Sequence, residues 1–117
     1  EAHTWLGTEY VWGGQSKQGA DCSGFIQTLF AKHGVILPRT TGPQARVGFP
    51  VTLKELEPGD RLCFNYSDHV DHVGLYIGGH KFIHAFGSAR RVVISSLLDP
   101  RFSHPFVGGR RDLLPAN

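Results

Sequence analysis

A chain of 117 residues and 12.9 kDa has room for one core, because single domains run to roughly 100–200 residues, and that excludes a mechanism needing two domains within it. Its 40% hydrophobic and 11% aromatic content is that of a globular chain rather than a disordered one. A net charge of +2 is too small and too scattered for a nucleic-acid partner, and no uninterrupted run of about 18 apolar residues offers a membrane span.

In chain order, the opening stretch through Trp12 ends in Gly13-Gly14, and Gln15 to Gly19 reads as polar loop. Phe25, Ile26, Leu29 and Phe30 then recur at helical spacing, with Asp21 or Ser23 placed to cap the start and Gly34 to stop the helix after His33. Thr41 and Pro43 open a short helix that Gly48 ends. Thr52 to Glu55 carries the capping-box pattern, and Pro58-Gly59-Asp60 predicts a turn. Beyond that turn the period falls to two. Arg61–Tyr66, His72–Ile77, Lys81–Phe86, Val92–Ser95 and Phe106–Arg110 read as strands. Helices first and antiparallel strands afterwards predict an α+β fold, with the N-terminal helices packed against a five- to six-stranded sheet or partial barrel. The doublets Arg90-Arg91 and Arg110-Arg111 read as solvated strand ends.

Two cysteines, Cys22 and Cys63, are too few for a disulfide framework and lack the closely spaced partners of a structural zinc site. Cys22 stands at the boundary between a glycine-containing loop and the best helix. There the free amides and the positive end of the helix dipole favour a thiolate and can also donate to an oxyanion. The alternative is a small buried hydrophobe, and spacing alone leaves both readings open. A nucleophile needs a base, and His72 and His84 lie on strands either side of Gly78-Gly79. If those two glycines alone form the loop, Ile77 pairs with His80, paired residue numbers have an odd sum, and the two histidines fall on opposite faces. A shared face therefore demands a three-residue loop or a one-residue bulge, expected at Gly74 or Gly79. Asp68, His69, Asp71 and His72 concentrate metal-ligand types, but spacing of three on a strand scatters them, so no metal site is expected.

Six blocks in order, Tyr10-Val11-Trp12-Gly13-Gly14, Asp21-Cys22-Ser23-Gly24-Phe25, Leu37-Pro38-Arg39-Thr40-Thr41, Pro58-Gly59-Asp60, His72 to Ile77 and Phe82-Ile83-His84-Ala85, resemble the signature blocks of the NlpC-type cell-wall cysteine peptidases. The resemblance spans nearly the whole of 1–117, which is expected to be one catalytic domain. It implies a papain-like fold and hydrolysis of peptidoglycan stem peptides, typically at the bond between γ-D-glutamate and a diamino acid. It also implies Cys22 as nucleophile, His72 as base, His84 as orienting residue, Tyr10 as an aid at the oxyanion, and Asp21 and Ser23 as contacts to the stem peptide. No cofactor is implied, and a monomer in the bacterial envelope, periplasmic or secreted, is expected. The chain begins at Glu1 without a signal-peptide pattern, which reads as a processed or excised domain. An amidase or acyltransferase using the same three residues, or a silent wall-binding module, are the alternatives. Cys63, where the family has a plain apolar residue, reads as core; Trp5 and Trp12 read as core too, with Trp12 able to line the cleft.

Overall fold

The apolar stripe of Phe25, Ile26, Leu29 and Phe30 does wind into a helix, α1, over Cys22–Ala31. Asp21 is its N-cap, accepting from Gly24 N at 2.7 Å, and Gly34 at φ +81° turns the chain away after a closing turn. The computed structural model describes residues 2–112. A two-stranded ribbon, β1 (Gln15–Ser16) and β2 (Gly19–Ala20), delivers the chain to α1. A short α2 follows at Thr41–Gln44. Next come β3 (Phe49–Val51), β4 (Arg61–Phe64), β5 (His72–Gly78), β6 (Lys81–Phe86), β7 (Arg91–Ser96), a short α3 (Pro100–Ser103) and β8 (Phe106–Arg111).

Six of these strands form one antiparallel sheet in the order β3-β8-β4-β5-β6-β7. The α+β reading and the upper strand count are therefore correct. The ribbon, β3 and α3 were not anticipated, since two- to four-residue elements carry no usable period. The capping box at Thr52 is present, heading a single 3-10 turn at Leu53–Glu55.

The period-two pattern of β5 and β6 explains how the sheet serves two cores. Val73, Leu75, Ile83 and Ala85 face α1 and join its stripe, with Trp5 set edge-on to Phe25 at 5.3 Å. Tyr76 and Phe82 face the other way, where Leu62, Phe64, Leu97 and Phe102 make a second, aromatic-rich cluster. Burying each such side chain contributes about 1.5–3 kcal/mol before entropy is counted. Cys63 is 4% exposed and belongs to the helix-side core, as read from the sequence. Trp5 is core at 1% exposure, but Trp12 is not: it stands 87% exposed on the Val11–Gly14 turn, whose Gly13 has φ +81°.

Candidate active site

Three segments distant in sequence converge on the start of α1. Gly14 N closes the Val11–Gly14 turn on Val11 O at 2.8 Å, and Asp21 N bonds Gly14 O at 3.1 Å, so the glycine turn packs directly beneath the helix. A Cβ on Gly24 would collide with Gly14 O, so glycine there is a condition of that packing. The Asp21 carboxylate ties the pieces together. Besides capping Gly24 N, it accepts from Gly13 N at 3.0 Å and receives the Arg39 guanidinium bidentately, both contacts at 3.0 Å. Arg39 also donates to Ser23 Oγ at 2.9 Å. Burial pulls the Asp21 carboxyl upward, yet Arg39 and the two amides outweigh it and hold the group below the usual carboxylate range.

Cys22 is thereby fixed as the first residue of the helix. Backbone N–H groups of Val73, Ser23 and Cys22 itself point at the thiol, and all three favour the thiolate. Burial outweighs them. With Asp21's charge close by, it pushes the thiol up to about 11, the reverse of what a helix start alone predicts. The Val73 amide that favours the thiolate belongs to β5, one residue past His72.

The histidines meet as the parity argument required. Leu75 pairs with Ile83 and Tyr76 with Phe82, but Gly78 pairs with Lys81, so β5 carries one extra residue between Tyr76 and Gly78. That bulge restores the even register and a shared face. It lies at Ile77–Gly78 rather than at either glycine expected, and the loop itself is Gly79-His80, both at positive φ (62° and 64°). Gly74 has another part. It lies opposite His84 on the face it shares with His72, and a Cβ there would come within 2.8 Å of the Phe82 ring and 3.2 Å of His84 Cβ. Its bareness leaves room for His72 Nε2 to reach His84 Nδ1 at 2.7 Å.

Both imidazoles are buried, His72 at 7% and His84 at 0% exposure. Phe86 stacks on His84 at 4.9 Å, and Phe64 lies 5.6 Å from His72. Burial pushes His72 down to about 4. It pushes His84 lower still, with the His72 ring and Arg101 adding to the effect. Both rings are accordingly neutral at neutral pH. The other nitrogen of His84, Nε2, lies 2.9 Å from Ser95 Oγ on β7.

Tyr10 flanks the same site from a bridge to Ala20, its ring 3.8 Å from where a Cβ on Gly87 would be. Burial, then the nearby Cys22 and Asp21, push its phenol up, so the hydroxyl stays a donor. Asp21 and Ser23 are 7% and 5% exposed, and their side-chain oxygens are engaged within the protein. Their expected contact with a stem peptide therefore rests on the resemblance alone. Asp68 and His69 pair with each other at 2.8 Å on the exposed loop. Arg39 and Ser95 were not singled out from sequence, although Ser95 is readable once β7 is registered on β6: His84 faces Val93, and Ser95 is the next residue on that side.

The NlpC/P60 family model matches residues 7–111. The chain belongs to the NlpC/P60 family. It is 40% identical over 111 residues to the gamma-D-glutamyl-L-lysine dipeptidyl-peptidase of Bacillus cereus, covering 92% of this chain and 33% of that protein. It is likewise 40% identical over 110 residues to the murein DD-endopeptidase MepS/murein LD-carboxypeptidase of Escherichia coli K12, covering 93% and 58%. The crystal structure of an NlpC/P60 family protein from Bacillus cereus superposes with a TM-score of 0.91 at 38% identity, over 97% of this chain and 38% of that one. The chain thus spans between a third and three fifths of the lengths of these two curated relatives.

Proposed function

We propose that residues 1–117 act as a cysteine endopeptidase on the stem peptides of bacterial peptidoglycan, cutting after γ-D-glutamate through a thioester, outside the cytoplasm and as a monomer. The observation that carries this reading is a thiol at the helix start, close to the Val73 amide that follows His72 in β5, with His72 itself bonded to a second histidine. Family membership and the names of the relatives supply the substrate class.

In this reading His72 takes the Cys22 proton on Nδ1 as the sulfur attacks the amide carbonyl. The tetrahedral oxyanion is met by the amides at the start of α1, with Tyr10 adding a hydroxyl donor. The C–N bond then breaks, and His72 returns the proton to the leaving amine. Water attacks the thioester next, giving its proton to His72, and collapse releases the acid and restores the thiol. Asp21 and Arg39 hold the helix start, and His84 holds the base. Cys22→Ser and His72→Ala should each abolish muropeptide hydrolysis while leaving the circular-dichroism spectrum unchanged. Weighing the fragments by mass spectrometry distinguishes cleavage after γ-D-glutamate from cleavage of the DD cross-link. Full activity in Cys22→Ser would overturn the assignment.

A further inference from the structure

We propose that the Ser95 hydroxyl is the positioning group that sets the proton order along the two histidines, by accepting the Nε2–H of His84. The inference rests on the reading of His72 as base. His84 is completely buried among Phe82, Phe86 and Phe102, and its ring presents one nitrogen to His72 (2.7 Å) and the other to Ser95 (2.9 Å). A neutral imidazole has one donor and one acceptor, so the partner at one nitrogen decides the role of the other. Two proton orders fit the distances. If Ser95 accepts from Nε2–H, then Nδ1 of His84 accepts from Nε2–H of His72, and Nδ1 of His72 is left without a proton, able to take one from the thiol. If Ser95 donates instead, every proton shifts along, and His72 carries its hydrogen on Nδ1, where a base needs a lone pair. Only the first order makes a base of His72.

The strand positions make Ser95 suited to the part. His84 faces Val93 across β6 and β7, so Ser95 lies diagonally across on the same face, within reach of a long ring. The side chain is short and only partly buried, so it can bond the ring nitrogen without displacing the aromatic packing. Phe82, Phe86 and Phe102 have no acceptor, which leaves this hydroxyl to meet the inner N–H of a ring that water does not reach.

Thr and Val have nearly the same shape and both suit a strand, so Ser95→Thr and Ser95→Val separate the hydroxyl from the packing. Against muropeptides, Ser95→Thr should stay within about twofold of the native kcat. Ser95→Val should lose roughly tenfold to a hundredfold in kcat with KM unchanged, by analogy with the loss seen when the outer hydrogen-bond partner of a metal-bound histidine is removed. Equal activity of the two variants would overturn the proposal. Nitrogen-15 spectra of the histidine-labelled native protein give a readout independent of catalysis: both rings should carry the proton on Nε2, and the His84 signal should change in Ser95→Val but not in Ser95→Thr. Protons on Nδ1 would refute the order even in a fully active enzyme. If the native protein cleaves no muropeptide yet shows the Nε2 pattern, the functional reading fails and the proton order stands.

Discussion

At the level of single residues, burial decides the resting charge of the site. Helix amides draw Cys22 toward the thiolate, but removal from water costs the charged form more, leaving the thiol at about 11 and His72 at about 4. Between those values the pair rests as thiol and neutral imidazole, so in the proposed mechanism the thiolate forms only as the proton passes to His72 during attack. Because protonating His72 removes the base and its proton affinity is depressed, kcat/KM for muropeptide hydrolysis should rise through about pH 4 and hold level across neutrality, well below the 6.5 of an ordinary imidazole. A pH profile with its acid limb near 6.5 would instead mean that His72 titrates as a solvated imidazole and that burial does not set its charge.

Among the elements, the β5–β6 hairpin shows how much of the site can be read from a sequence and where reading stops. Parity arithmetic demanded an irregularity, and one is there; its position was missed because Gly74, Gly78 and Gly79 look alike until the sheet shows which has positive φ and which faces a ring. Asp21 as a cap was legible from its distance to the apolar stripe, but its partner Arg39, 18 residues on, belongs to a loop with no period to register it. The short elements were illegible for the same reason. Gly74→Ala should destabilise the fold by roughly 1–3 kcal/mol, as overpacking does, and should cost more activity than stability, because the added methyl lies against His84. Urea denaturation alongside kcat checks this, and a Gly74→Ala protein with native kcat would show that the gap between the histidines is not needed.

Across the whole molecule, charged side chains buried between segments hold the sheet to the rest. Arg61 is fully buried and bonds Asp112 through Nε and Nη2, at 2.8 and 2.7 Å, while also donating to the carbonyls of Gln44 and Val47. It thus joins β4, the end of α2 and the residue after β8. Asp60, 2% exposed, does similar work with Arg111 at 2.8 and 2.9 Å. Removing one member of such a pair strands the other without water, so Arg61→Ala should lose roughly 3–5 kcal/mol of stability, read as a fall in the urea midpoint with unchanged slope. Nothing in the sequence marked Arg61 as buried, because an arginine opening a strand reads as solvated.

The order β3-β8-β4-β5-β6-β7 leaves the sheet with two flanks. One is the three-residue β3, where Pro50 has no N–H to give. Along the other, the segment before Tyr10 lies against the start of β7, bonding Gly7 N to Val92 O, Val92 N to Thr8 O and Tyr10 N to Arg90 O. The same few residues that bring a phenol to the thiol therefore also shield a strand from templated growth onto a stranger's backbone. A lesion that frees them would unmask a sticky border and carry Tyr10 away from Cys22 in one step.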